Sequence, residues 1–152
     1  MKIAHSAEVS VFCKDYEDYA LVKNGLLQFF PFNIEEEKVQ VRESTAEGLS
    51  GNIIKVAEVR IDKERDIRAF MENLLSALGK EGTATLLSQI ESRLDDELFF
   101  YIRIDKKQWS KDGRAVLTDS GNCYHVKLAV AAFPKKREAA AALLRKFLSD
   151  FA

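Results

Sequence analysis

Aromatic and basic residues alternate with largely apolar ones in two segments of the second half of the chain. The aromatic and basic set is Phe99, Tyr101, Arg103, His125 and Lys127. The residues that alternate with them are Leu98, Phe100, Ile102, Ile104, Tyr124, Val126, Leu128 and Val130. Because strand side chains point alternately to opposite faces, the first set would share one surface if the second faces a core. Such a surface suits RNA, since bases stack on aromatic rings while Lys and Arg meet phosphates.

The same pattern has a second interpretation that involves no nucleic acid. Phe99 and Tyr101 would then lie under a helix or against a second subunit, and the charged groups would only be solvated. Exposed aromatic residues on a sheet serve protein contacts as readily as RNA contacts, so the pattern alone leaves both interpretations open.

A densely basic connection joins the two segments and offers a second kind of anion contact. Its donors are Arg103, Lys106, Lys107, Gln108, Lys111 and Arg114. An arginine presents a planar fork of donors and a lysine a flexible point charge, which is the chemistry of phosphate binding. In the alternative, Asp105 and Asp112 neutralise the neighbouring bases and Trp109 fills the edge of the core.

A further basic cluster, 135–137, precedes the last helix of the chain and contains Lys135, Lys136 and Arg137. Cations at a helix N-terminus oppose the helix dipole, so a nearby anion would relieve an unfavourable arrangement. A solvated charge run explains the same residues.

Signals for catalysis or metal binding are weak. A zinc site from His5, Cys13, Cys123 and His125 would have one local pair, Cys123 and His125, without a second. The sequence contains no nucleophile elbow, phosphate-binding Walker loop, zinc-protease or dinucleotide-binding motif. A nuclease would have only scattered acids, namely Asp95, Asp96, Asp105 and Asp119. We therefore expect no catalytic residue, no metal and no cofactor.

Length and charge set the remaining bounds. The 152 residues predict one domain spanning 1–152, and the 47% hydrophobic composition predicts a folded chain. The chain has neither a secretory signal nor an apolar run long enough to span a membrane, so we expect a cytoplasmic protein without membrane contact. The net charge is −1, but residues from Glu97 onward contain 11 Lys and Arg against 6 Asp and Glu. This asymmetry indicates an anionic partner for the second half.

Hydrophobic periodicity predicts the elements that position these residues. Strands are expected at 5–13, 38–42, 53–61, 98–104, 114–118 and 123–133, and helices after Asp15, after Asp62 up to Gly79, from Thr83 and after Pro134. The turn signal 119–122 predicts a hairpin between the last two strands. The order β-α-β-β-α-α-β-β-β-α favours the α+β class, an antiparallel or mixed sheet with helices packed on one face.

Four parts of the chain carry a family resemblance. They are the strand His5–Phe12, the stretch Glu47-Gly48-x-x-Gly51-Asn52-x-Ile54, the segment Tyr101-Ile102-Arg103-Ile104-Asp105-Lys106-x-Gln108 with Gly113 after it, and the closing strand and helix. With these parts the chain resembles an archaeal family described as predicted exosome-associated RNA-binding proteins with a double-stranded-RNA-binding-domain-like fold. The resemblance implies an α+β domain similar to the ribosomal protein that grips 5S RNA, and no catalytic residue. Trp109 departs from the family, which tends to have a small residue there.

These observations lead to one main hypothesis and one competing hypothesis. The main hypothesis is a non-catalytic protein that contacts structured RNA and works beside exosome subunits, with Tyr101, Arg103, Lys106, Lys107, Gln108, Lys111, Arg114 and Lys127 as its RNA-binding residues. The competing hypothesis is a protein-interaction module, most simply a homodimer that pairs sheet faces through Phe99 and Tyr101.

Overall fold

The computed structural model describes residues 2–152 and contains, within them, five strands and five helices. The strands are β1 (Ala4–Cys13), β2 (Val41–Glu47), β3 (Ile53–Ile61), β4 (Phe99–Asp105) and β5 (Cys123–Val130). The helices are α1 (Tyr19–Leu27), α2 (Glu64–Ser88), α3 (Ile90–Arg93), α4 (Lys106–Asp112) and α5 (Arg137–Ser149). The α+β class is confirmed, and the order of elements agrees with the expected one except between residues 106 and 118.

The strands form one antiparallel sheet in the order β2-β3-β1-β5-β4. Alternate residues of each central strand are buried, and helices cover the face towards which Val9, Ile102 and Val126 point. The opposite face, called the open face below, carries half-buried and exposed side chains. The predicted alternation of inward and outward residues in β4 and β5 is therefore confirmed.

An aromatic cluster ties two helices to the sheet beneath them. Phe29, which follows α1, stacks on Trp109 of α4 with ring centroids 4.5 Å apart, and its edge meets Tyr124 of β5. The indole Nε1–H of Trp109 also donates to the carbonyl of Gly25 at 2.7 Å. These contacts fix α4 on the helical side of the sheet, against α1.

The densely basic connection after β4 contains a helix that the sequence analysis did not predict, because residues 106–112 form α4. Asp105 caps it by accepting a hydrogen bond from the Gln108 amide at 3.0 Å, and Gly113 ends it with a φ of 65°. The helix buries Lys106, Trp109 and Ser110, of which only Trp109 is apolar. That single apolar residue left no helical periodicity to recognise.

The strand expected at 114–118 is reduced to a single bridge between Leu117 and Ile104. The Asp105 amide donates to the carbonyl of Val116 at 2.8 Å, so the segment lies against β4. The predicted hairpin with β5 is wrong for a topological reason. Both edges of β5 are already paired, with β1 and with β4, whereas β4 has a free edge.

Smaller differences concern where elements begin and break. The first helix is capped by Asp18 rather than Asp15, and the second strand begins at Val41 rather than Lys38. Gly79 interrupts α2 with a φ of 73°, a conformation that favours glycine, which confirms the predicted break. None of the helices in residues 2–152 is long and apolar enough to cross a membrane.

Candidate nucleic-acid interface

The structure places five aromatic, basic and imidazole side chains on the open face, as the alternation predicted. They are Phe99, Tyr101, Arg103, His125 and Lys127, called the open-face cluster below. Tyr101 is paired with Lys127 across the two strands, and Arg103 is paired with His125. The Lys127 ammonium lies 4.2 Å from the centroid of the Phe99 ring, a cation–π contact. Stacking surfaces and cations therefore lie directly beside one another.

Asp95 fixes the aromatic end of this cluster. Its Oδ2 accepts a hydrogen bond from the Tyr101 hydroxyl at 3.0 Å, and its Oδ1 accepts from the Phe99 amide at 2.8 Å. Burial and the bond to Asp95 raise the pKa of Tyr101, so its hydroxyl stays protonated at neutral pH. Asp95 is thus a structural anchor for the ring of Tyr101.

Arg103 also determines the electrostatics of His125, its partner across the strands. Burial lowers the pKa of His125, and the positive charge of Arg103 lowers it further. The imidazole is therefore neutral at pH 7, and Arg103 and Lys127 supply the positive charge of the cluster.

Towards the centre of the sheet, the open face becomes electrically mixed. Glu8 of β1 is paired with Lys127 on one side and with Arg60 on the other. Glu58 of β3 forms an ion pair with Arg42 at 3.3 Å. The positive character of the open face is therefore concentrated at β4 and β5.

Lys106 lies away from this surface, which corrects its expected role as an exposed phosphate contact. Its side chain is 4% exposed, and its ammonium donates to the carbonyl of Phe12 at 2.6 Å and to Glu17 Oε1 at 3.0 Å. An ammonium held by an ion pair and a carbonyl in the interior is not available to a phosphate. Lys106 thus holds α4 to the end of β1.

Lys107 and Lys111 form a second basic group on the exposed side of α4. Together with Tyr16, which is 78% exposed, they line a cavity of about 300 Å³. We call these three residues the α4 cluster. The carboxylates beside them are already engaged, since Glu17 pairs with Lys106 and Asp18 caps α1. The structure places Gln108 half-buried on the same helix and Arg114 exposed just beyond it.

The predicted cations therefore divide between two surfaces instead of meeting in one. The open-face cluster lies on the uncovered side of β4 and β5, while the α4 cluster lies beside α1 on the helical side. Helix α4 begins directly after β4, so Arg103 and Lys107 are four residues apart in the chain but lie on opposite sides of the sheet. A ligand that reached both clusters would have to wrap around this end of the sheet.

The basic cluster 135–137 is only partly free for an anion. Lys135 and Lys136 are exposed, but Arg137 turns inward. Its guanidinium pairs with Glu91 Oε2 at 2.6 Å and donates to the carbonyls of Glu91 and Leu94 at 2.6 and 3.0 Å. Arg137 thus joins α5 to α3, and the Glu91 bond raises its pKa.

The residues considered for zinc do not form a site. Cys13 and Cys123 are buried free thiols, and burial raises the pKa of both. Within residues 2–152, no three His, Cys, Asp or Glu side chains are grouped in a way that would hold a metal ion. Both cysteines belong to the interior of the sheet.

Comparison with known proteins agrees with the chemistry of these surfaces. The family model described as RNA binding matches residues 6–130. The RNA-binding protein PAB1135 from Pyrococcus abyssi is 34% identical over 145 residues, which cover 95% of this chain and 94% of that protein. The chain belongs to this RNA-binding family.

Solved structures of archaeal proteins show the same fold. The crystal structure of protein AF2318 from Archaeglobus fulgidus has a TM-score of 0.79 at 29% identity and covers 97% of this chain and 99% of that one. Mth689, a DUF54 protein from Methanothermobacter thermautotrophicus, has a TM-score of 0.77 at 27% identity, with 96% and 98% covered. A UPF0201 protein from Methanococcus jannaschii shares the fold at a TM-score of 0.58, 16% identity and 95% and 97% coverage.

Sequence reasoning missed two residues that this family member places at its basic surfaces. Tyr16 lies in a turn between β1 and α1, where no periodicity marks an exposed ring. Arg93 lies at the end of α3 and donates to the carbonyl of Tyr101 at 3.3 Å. Arg93 reaches the site because the chain folds back from α3 to the edge of β4. No motif or periodicity near Arg93 predicts this position.

Proposed function

We propose that this protein is a non-catalytic RNA-binding protein and that the open-face cluster is its principal contact. Bases stack on Tyr101, while Arg103 and Lys127 meet the phosphates beside it. The observation that carries the proposal is the pairing of aromatic and cationic side chains in register on one uncovered face. Membership of the RNA-binding family supports the same ligand.

The α4 cluster supplies a second set of phosphate contacts in this proposal. Lys107 and Lys111 are exposed on one side of α4, and Glu17 beside them is already paired with Lys106. Gln108 and Arg114 extend the donors of this region. The exposed ring of Tyr16 gives a base a place to stack.

The narrower parts of the proposal concern the kind of RNA and its cellular setting. Two basic surfaces around one end of a sheet favour an RNA with defined shape over a short extended strand. The family resemblance favours a shape-reading domain over residues 1–152 that works beside exosome subunits. The sequence expectation adds a cytoplasmic location. Copurification of exosome subunits with the tagged protein, with and without ribonuclease, tests the association.

An RNA titration at several salt concentrations tests the proposal directly. Five of the predicted RNA-binding cations are exposed or half-buried, namely Arg103, Lys107, Lys111, Arg114 and Lys127. If each neutralises one phosphate, log affinity for tRNA falls against log salt with a slope of roughly −3.5 to −4.5. Salt-insensitive binding, or no binding at all, would contradict the proposal.

Two lysine variants separate a local contact from a general charge effect. Lys127→Gln removes one cation from the open-face cluster and should reduce the slope by about 0.7 to 0.9. Lys80→Gln removes an exposed cation from α2, away from the open-face cluster, and should leave the slope unchanged. Labelled RNA should stay intact through these titrations in magnesium, and cleavage would show a nuclease instead.

The competing homodimer proposal has less support from the geometry. The ring of Phe99 lies against the Lys127 ammonium, and the hydroxyl of Tyr101 is bonded to Asp95. Pairing two copies of this face would bring both sets of cations together. Light scattering at high protein concentration should therefore give the mass of a monomer, 17.2 kDa.

A further inference from the structure

A cavity at the outer edge of β4 contains two arginines that form no ion pair in the part of the chain that the structure describes. It measures about 420 Å³ and is lined by Gln89, Ser92, Arg93, Tyr101, Arg103 and Asp119. Helix α3 forms one wall, β4 the second and the turn at Asp119 the third. Arg103 and Tyr101 belong also to the open-face cluster, so the cavity borders that face.

Neutral acceptors hold both guanidinium groups in place. Arg93 donates through Nε to Gln89 Oε1 at 2.8 Å and through Nη1 to the carbonyl of Tyr101 at 3.3 Å. Arg103 donates through Nη1 to the carbonyl of Asp119 at 3.0 Å. A guanidinium has five donors, so these bonds orient each fork and leave donors for a ligand.

The two arginines differ in this respect from most other arginines of the chain. Arg65, Arg68 and Arg137 each have a carboxylate partner. In the part of the chain that the structure describes, no ion pair includes Arg93 or Arg103. Two positive charges thus face one cavity, and the carboxylate of Asp119 offsets only one of them.

This arrangement has an electrostatic cost that an anion would offset. Burial is the main cause that lowers the pKa of Arg93, while attraction from Asp119 opposes the shift and is larger than the repulsion from Arg103. Removing a cation from water is unfavourable, and the single carboxylate of Asp119 cannot balance two guanidinium groups, so a further anion would offset part of the cost. Phosphate matches the need, because its oxygens accept paired hydrogen bonds from arginine forks.

We propose that this cavity binds one phosphate group of the RNA between Arg93 and Arg103, with the attached nucleotide against Tyr101. The inference rests on the proposed function and assigns it a specific phosphate pocket. Asp95 already fixes the ring of Tyr101 through the hydroxyl, so the stacking surface is ordered before a ligand arrives. Asp119 lies at the rim and opposes the phosphate by its charge.

Two substitutions with opposite expected effects test the pocket. Arg93→Gln removes one guanidinium and should weaken binding of the tRNA used in the salt titration about tenfold. It should also reduce the salt slope by about 0.7. Asp119→Asn removes the opposing carboxylate and should tighten binding. A purely structural role of these residues would not give opposite signs, so unchanged affinity in both variants overturns the inference.

Controls separate the pocket from folding and from general charge. Arg68→Gln removes an exposed arginine from α2 and should leave RNA affinity unchanged. Arg93→Lys keeps the charge but not the fork, and it should recover only part of the lost affinity. Circular dichroism of each variant in urea shows whether the fold is retained.

The wild-type protein provides a readout that does not depend on any variant. Since Arg103 lowers the pKa of His125, an anion held by Arg103 should raise that pKa towards its usual range. The NMR signal of His125 should show this on addition of inorganic phosphate, with His5, exposed in β1, as the reference signal. A pKa of His125 that phosphate leaves unchanged contradicts the inference.

Oligonucleotide ends identify the source of the phosphate. If a 5′-phosphorylated RNA binds more strongly than its 5′-hydroxyl form, the pocket binds a terminal phosphate. If the two RNAs bind equally and Arg93→Gln weakens both to the same extent, the pocket binds an internal phosphodiester. If Lys127→Gln weakens RNA binding and Arg93→Gln does not, the pocket is wrong and the proposed function stands. If the wild-type protein binds no RNA, the proposed function itself is wrong.

Discussion

Substitution of two adjacent lysines tests the division between structural and ligand-facing cations. Lys106→Met keeps the aliphatic stem but removes the ammonium that pairs with Glu17 and donates to the carbonyl of Phe12. Lys107→Met removes an exposed ammonium one residue later. We expect the first variant to lose stability and the second to lose RNA affinity.

The magnitudes follow from burial. Breaking a buried ion pair by removing one partner costs about 3 to 5 kcal/mol. Glu17 is 19% exposed and keeps its bond from the Lys14 amide, so the low end, about 3 kcal/mol, applies to Lys106→Met. That loss lowers the thermal midpoint by about 6 to 12 °C for a chain of this size. Lys107→Met should change the free energy of unfolding by less than about 0.5 kcal/mol.

Urea unfolding followed by circular dichroism measures the free energies, and an RNA titration in varied salt measures the ligand effect. Lys107→Met should reduce the salt slope by about 0.7 to 0.9, whereas folded Lys106→Met should keep it. Adding Glu17→Gln to Lys106→Met should recover part of the stability, because the uncompensated carboxylate is gone. A Lys106→Met variant of wild-type stability that binds RNA with a smaller salt slope would refute the placement of Lys106.

Three further predictions concern the helical side of the sheet. Trp109→Phe leaves the Gly25 carbonyl without its indole donor and should cost about 1 to 3 kcal/mol in urea unfolding. Gly25→Ala would place a Cβ in overlap with the Tyr124 hydroxyl oxygen, so the same measurement should show a loss of about 1 to 3 kcal/mol from overpacking. Burial and the hydrogen bond to Glu43 raise the pKa of Tyr19 to about 12. Since the folded pKa lies above the unfolded one, this stabilisation is complete below about pH 10 and is lost towards pH 12, which tyrosine absorbance and alkaline unfolding can follow.

The sheet could be predicted because its pattern is local. Strands β4 and β5 alternate with a period of two, and that period alone assigns Tyr101 and Lys127 to the same face. Glycine at 79 likewise marks a break that its own backbone conformation requires. Features that depend on the local sequence, such as the face of a strand residue or a break at a glycine, were predicted correctly.

Long-range partners account for what the sequence did not show. Lys106 meets Glu17 and the Phe12 carbonyl across 89 and 94 residues of chain, so nothing near Lys106 distinguishes it from Lys107. Arg93 reaches the edge of β4 only because the chain folds back after α3. Charge counts identify how many cations a chain has, but tertiary structure decides which of them are neutralised.

The side chain of Arg137 connects the last helix to a turn of helix too short to hold its own position. Helix α3 has four residues, and Arg137 of α5 donates to the carbonyl of Glu91 within it and to the carbonyl of Leu94 directly after it. The orientation of Arg93 therefore depends on α5, although α5 lies outside the proposed phosphate pocket. Shortening or destabilising α5 should therefore weaken RNA binding without removing an RNA contact. A substitution in α5 that weakens RNA binding is then not evidence that α5 contacts RNA.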